Sequence, residues 1–195
     1  RPTINLQALE NILFFVDPGN LTSSGIIYFD DIRLQPHQKT MIEDFEDTSF
    51  WTPDTTLGWW DIDGTTVYRH AQSLDPSHGG FGAMRVDYTK NNLPWSLFGG
   101  FISETNPLRN FRGNTRLAVW VRGNATVLAK LRDRQLREAD LGTAVATNPG
   151  GWTKLVFDYG EAAVDLSHID NMLFFIEPGN PSAAGTIYLD DLTLE

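Results

Sequence analysis

The chain ends as it begins. Ile4 to Gln35 reads INLQALENILFFVDPGNLTSSGIIYFDDIRLQ and Val164 to Glu195 reads VDLSHIDNMLFFIEPGNPSAAGTIYLDDLTLE, with fourteen identities in thirty-two positions and no gap. The substitutions keep their physical character, Val16 against Ile176, Asp17 against Glu177 and Phe29 against Leu189, so both copies should adopt one local structure. A separation of 160 residues is too long for a solenoid unit and suits a whole domain. Residues 1–36 therefore read as the C-terminal hairpin of a preceding homologous module, and residues 37–195 as one complete module. The alternative is a single domain whose two similar hairpins pair across a pseudo-symmetric sheet. On the first reading Leu13, Phe14, Phe15 and Val16 have lost their covering sheet, which predicts burial in cis or strand-mediated self-association through residues 1–36.

The body of the chain carries short runs of valine, isoleucine, phenylalanine and tryptophan punctuated by glycine, proline and asparagine, the pattern of β-strands and tight turns. Ten strands are expected: Met41–Phe45, Trp59–Asp63, Val67–Gln72, Ala83–Tyr88, Trp95–Ile102, Arg116–Arg122, Val127–Arg132, Trp152–Asp158, Met172–Ile176 and Thr186–Leu194. Helix is nearly absent, so the fold class is all-β, a β-sandwich of the jelly-roll kind. A net charge of −10 argues against nucleic acid, which needs a clustered basic surface. No apolar run approaches the ~18 residues of a membrane span, and the first residues lack the pattern of a signal peptide. The chain reads as an excised soluble piece that binds a neutral ligand.

Several motifs in order carry a resemblance: Met-Ile-Glu-Asp-Phe-Glu at 41–46, His-Gly-Gly-Phe-Gly-Ala-Met-Arg-Val at 78–86, Gly-Trp-Thr-Lys-Leu-Val-Phe-Asp at 151–158, Ile-Asp-Asn-Met-Leu-Phe-Phe at 169–175 and Ile-Tyr-Leu-Asp-Asp-Leu-Thr-Leu at 187–194. From Met41 to Glu195 the chain resembles the jelly-roll carbohydrate-binding modules with a galactose-binding-like fold, nearest the family-eleven type. The resemblance implies a secreted or extracellular, non-catalytic module that targets an appended carbohydrate-active enzyme to its polysaccharide, a β-glucan, mannan or related plant or algal glycan. The alternative function is a calcium-stabilised spacer or interaction module without glycan binding. Asp44, Glu46 and Asp190 are hard oxygen ligands of the kind Ca²⁺ accepts, and the resemblance implies that a structural calcium joins first-strand acid, last-strand aspartate and the loop before Ala83. The plain alternative is that Asp190 and Asp191 mark a solvated strand end. Related modules carry an aromatic near the end of the Met172–Ile176 strand. This chain has Ile176 and Glu177 there, so part of the usual glucan platform is expected to be missing.

Sugar rings stack their apolar faces on flat aromatics, which must stand at a surface. Trp120 and Trp152 read as packing residues and Trp51 as sealing the first loop, leaving Trp59, Trp60 and Trp95 as candidates. Adjacent Trp59 and Trp60 point to opposite faces of a strand, so at most one of them is core. Lys130, Arg132 and Arg134 alternate along one expected strand and share a face, either a solvated outer surface or a source of donors for sugar hydroxyls or a uronate. No catalytic motif is present: there is no Gly-x-Ser-x-Gly, no His-Glu-x-x-His and no phosphate-binding glycine loop. The expected protein is a binder, not an enzyme.

Overall fold

The structure, a computed structural model, describes residues 39–46, 57–62, 65–68, 78–80, 82–90, 94–177, 179–180 and 182–195. These belong to the second of two units into which the chain divides, Pro36–Glu195. The expectations for residues 1–36 and for Trp51 lie outside the described residues. Among those described there are nine strands and one 3₁₀ turn, Pro107–Arg109. The strands are β1 (Thr40–Glu43), β2 (Leu57–Asp61), β3 (Thr65–Tyr68), β4 (Met84–Thr89), β5 (Ser96–Ile102), β6 (Arg116–Asp133), β7 (Glu138–Asp158), β8 (Ile169–Ile176) and β9 (Ala184–Leu194). The fold is the expected all-β jelly-roll sandwich. No helix among the described residues is long and apolar enough to cross a membrane.

Neighbouring strands run in the order β2-β5-β8-β6-β9-β4-β3, with β1 added on β9 and β7 running beside β6. Strand β6 belongs to both layers. Its first part, Leu117 to Arg122, pairs with β9, and its last part, Val127 to Asp133, pairs with β8. The switch occurs at Gly123, whose φ of +131° is open to glycine and whose missing Cβ would stand 2.9 Å from Ile187 Cγ2. On β7 the same point carries extra residues, since Arg122 faces Trp152 while Gly123 faces Asn148. Bulges of this kind bend a strand and let it change sheets.

Two expected strands, Arg116–Arg122 and Val127–Arg132, are therefore one continuous strand. Residues 138–151, which no expected strand covered, form the first part of β7. That segment is mostly exposed and rich in glycine and polar residues, so it has no apolar alternation of its own. Its strand conformation comes from pairing with β6.

Alternation along β6 sorts the molecule into core and surface. Leu117, Val119, Val121, Ala125, Val127, Ala129 and Leu131 are buried, joining Phe98, Met172 and Phe174 of one layer and Met84, Val86 and Leu189 of the other in one cluster. Each valine, leucine, methionine or phenylalanine among them contributes roughly 1.5–3 kcal/mol through burial. The opposite parity places Trp120 and Arg122 outward on the β6-β9-β4 layer. Trp120 and Trp152, read from sequence as packing residues, are absent from this core cluster. His78 stacks on Trp120 with ring centroids 3.9 Å apart and meets Trp152 edge-on at 6.0 Å. The inward positions beside Trp120 are already taken by Val119 and Val121.

Asp133 closes β6 with inward parity and no exposure at all. Its carboxylate accepts the backbone N–H groups of Gln135, Arg137 and Asp165 at 2.9–3.0 Å and the Arg137 Nε–H at 2.7 Å. Burial pushes its pKa up, but these donors together outweigh burial and hold it below the usual carboxylate value. One side chain thus fixes the β6–β7 turn and ties it to the approach to β8.

Candidate functional site

The outward face of β2-β5-β8-β6-β7 gathers the chemistry. Register defines its rows. One row runs Trp60, Gly99, Leu173, Lys130, Asp140, and the next runs Gly58, Phe101, Asn171, Arg132, Glu138. A third contains Leu97, Phe175, Leu128 and Thr143.

Two consecutive tryptophans face two consecutive glycines here. Trp59 pairs with Gly100 and Trp60 with Gly99. Trp59 points into the core, 5% exposed, with Phe45 at 5.5 Å and Phe174 at 6.3 Å between ring centroids. Trp59 is thereby removed from the sugar-binding candidates: strand alternation gives the core to one member of the pair. Trp60 is the outward member, half-buried. Its indole lies across Gly99, so closely that a Cβ at Gly99 would stand 2.5 Å from Trp60 Cζ2 and 2.8 Å from Cε2. The indole Nε1–H donates to Asn171 Oδ1 at 3.3 Å, across the intervening strand. The result is an aromatic plate fixed against the sheet.

Trp95 precedes β5 and meets Phe175 edge-on, with centroids 5.5 Å apart and planes at 77°. The Lys130 ammonium sits 5.4 Å from the Phe175 ring centre, a cation–π distance. Phe175 corrects one expectation. The end of β8 does carry an outward aromatic, one residue before Ile176, which alternation sends into the core. Phe175, Asn171 and Gly99 were the members of this face that sequence reasoning missed.

The three cations are not equivalent. Lys130 and Arg132 share the outward face of β6, but Arg134 lies beyond the end of the strand, in the turn to β7. Each meets an acid. Lys130 Nζ is 3.9 Å from Asp140, Arg132 Nε–H donates to Glu138 at 2.9 Å, and Arg134 reaches Glu104 at 2.8 Å. The first two pairs are cross-strand neighbours in register. This part of the face is locally close to neutral.

Glu46, three residues past the end of β1, and Asp190 of β9 approach one loop. Asp190 is fully buried and accepts the His78 N–H at 2.7 Å and the Gly79 N–H at 3.3 Å, while Glu46 Oε1 accepts the Gly82 N–H at 3.0 Å. Burial pushes the Asp190 pKa up, and its backbone donors only partly offset that. The remaining site candidate, Asp44, accepts the Glu46 N–H at 3.2 Å and is exposed. It caps its own turn and is not drawn to the loop. Among the described residues no three ligating side chains stand together. Glu46 and Asp190 bring oxygens of the kind Ca²⁺ accepts to the same loop, whereas Asp44 does not join them.

No family model matches the chain, and no curated protein matches it. Solved structures do. The chain is similar to the family 11 carbohydrate-binding module of a cellulosomal cellulase of Clostridium thermocellum, at 12% identity and a TM-score of 0.55, covering 82% of this chain and 95% of that one. It is also similar to the family 11 module from Clostridium thermocellum in complex with a β-1,3-1,4-mixed-linked tetrasaccharide, at 13% identity, TM-score 0.52, and 80% and 94% coverage. A family 29 carbohydrate-binding module complexed with mannohexaose matches at 16% identity, TM-score 0.52, covering 80% of this chain and 90% of that one. At these identities the likeness establishes the fold.

Proposed function

We propose that this chain binds a neutral polysaccharide without cleaving it, through the outward face of β2-β5-β8-β6-β7. The observation that carries this reading is the outward, half-buried Trp60 indole, seated over Gly99 and held at its N–H by Asn171. Stacking on such a plate uses the apolar face of the sugar, while Thr143 and the paired charges offer hydrogen bonds to its hydroxyls. Among the solved structures of this fold are one in complex with a mixed-linked β-glucan tetrasaccharide and one with mannohexaose, so β-glucans and mannans are the first polymers to test. Because Lys130, Arg132 and Arg134 each meet a carboxylate, a uronate polymer would have to compete with acids already in place. The module belongs outside the cell, where such polymers lie, and serves to hold an appended carbohydrate-active enzyme on its substrate.

Electrophoresis in gels containing soluble mixed-linked β-glucan, mannan, xylan or polyuronate tests the reading. Retardation by a neutral polymer without release of reducing ends is expected. Release of reducing ends would make the chain an enzyme, and migration unaltered by any of the polymers would leave it a spacer.

A structural Ca²⁺ at Glu46 and Asp190 belongs to the same proposal. Bound there it would supply positive charge to a buried carboxylate and join the start of the module to β9. An ion held only by the native state stabilises it by mass action. A chelator is therefore expected to lower the melting temperature, with recovery on adding excess Ca²⁺; an unchanged midpoint at saturating chelator removes the metal from the reading.

A further inference from the structure

We infer that Gly99 and Asn171 are positioning residues for the sugar-binding plate: they set the plane of the Trp60 indole, Gly99 by lacking a side chain and Asn171 by holding the ring's N–H. The inference rests on the glycan-binding reading of this face and adds the device that orients it.

A tryptophan on an outward strand position has two torsions to choose from, and an unrestrained indole stands away from the sheet or samples several rotamers. At position 60 both freedoms are removed. The ring lies over its cross-strand neighbour Gly99, where a Cβ would meet Cζ2 at 2.5 Å and Cε2 at 2.8 Å. Any other residue would occupy the space of the indole itself and force it to lift. Beyond Gly99 in the same direction lies β8, and there Asn171 accepts the indole N–H at 3.3 Å. Asn171 is not the direct cross-strand partner of Gly99, which is Leu173. The hydrogen bond is therefore diagonal and fixes the ring's rotation as well as its tilt. Gly58, the outward residue before Trp60, faces Phe101, so no side chain on β2 crowds the plate from that side.

The consequence is preorganisation. A ring already seated over Gly99 and tethered loses little side-chain entropy when a sugar stacks on it, and ordering one rotamer-rich side chain otherwise costs ~0.5–1.5 kcal/mol on binding. Among the described residues, Trp95 on the same face has no glycine opposite it and no hydrogen bond to its indole. It meets the Phe175 ring with planes at 77°.

Two variants test this, Gly99→Ala and Asn171→Leu, each alone and combined with Trp60→Ala. Against the neutral polymer that retards the wild type, each single variant should bind about tenfold more weakly, the size expected when one well-placed contact is lost. Added to Trp60→Ala, neither should weaken binding further, because the plate they position is gone. Equal weakening with and without Trp60 would overturn the inference, since it would mean general damage to the face. Wild-type affinity in both single variants would overturn it too. A Cβ at Gly99 also comes within 2.8 Å of the Met172 carbonyl oxygen, so Asn171→Leu carries the test if Gly99→Ala does not fold.

A second measurement needs no glycan. The Trp60 indole N–H resonance, identified as the one missing in Trp60→Phe, should lose its protection from hydrogen exchange in Asn171→Leu; unchanged protection overturns the inference. If the wild type binds no polymer at all, the functional reading fails while this measurement still decides whether Asn171 holds the ring.

Discussion

Replacing Trp60 with alanine should lower affinity for the retarding polysaccharide about ten- to hundredfold, the effect of losing a central aromatic anchor worth roughly 1.4–3 kcal/mol, and leave the melting temperature nearly where it was. The separation of the two effects follows from parity on β2. Trp59 carries the packing, against Phe45 and Phe174, and Trp60 carries exposed surface tied down by one hydrogen bond. The converse substitution makes the control. Trp59→Ala empties a core site, for which ~3–5 kcal/mol is the usual cost, and should unfold a large share of the protein before affinity can be read. Isothermal titration and thermal melts of the two variants together decide the matter. Full affinity in Trp60→Ala would remove this face from the function.

The largest effect on stability outside the core is expected at Asp133. Asp133→Ala strips partners from three backbone N–H groups and the Arg137 guanidinium in a place where the carboxylate has no solvent exposure. Breaking a buried charge pair costs ~3–5 kcal/mol. Arg137 is itself 55% exposed, so the lower end applies, about 3 kcal/mol, or a fall of roughly 6–12 °C for a protein of this size. The same site predicts a pH dependence of definite sign. The folded-state pKa is depressed, so the stabilisation is complete above the unfolded value of about 3.9 and fades as pH falls through the folded one. Asp133→Asn cannot titrate. Between about pH 4 and 2 its melting temperature should fall less steeply than that of the wild type, and parallel curves would show that Asp133 contributes nothing to acid lability. Asp165 titrates low as well, held down by Ser167 and His168, and remains as a background slope in both proteins.

Much of the architecture was legible because the apolar residues of β4 and β9 alternate and β5 and β8 are short apolar runs set off by glycine and proline. The long arm of β7 was not. Its strand conformation comes from pairing with β6 and not from any alternation of its own, information that sits elsewhere in the chain. The site was half legible. Adjacent tryptophans announce one inward and one outward ring, but the sequence does not say which is which. The answer lay forty residues downstream, in the Gly99-Gly100 pair opposite them. Each glycine makes room for one indole, on opposite sides of the sheet. Phe175 was hidden for a different reason: it sits inside the apolar run Met172–Ile176, where four neighbours obscure a period of two. For Arg134 the alternation was counted one step past the point where the strand turns.

The pairing of β1 with β9 has a mechanical side. Thr40 lies opposite Leu194, so residues just before β1 and just after β9 emerge together at one edge. A pull that separates them acts across the ladder at its open end and takes the hydrogen bonds one at a time, as in opening a zipper, instead of sliding two strands past each other with all bonds loaded at once. The first strand to yield would be β1, in the layer away from Trp60. Trp60 and the strands beneath it, β2, β5 and β8, lie outside that line of force, so yielding at β1 would leave the Trp60 face intact.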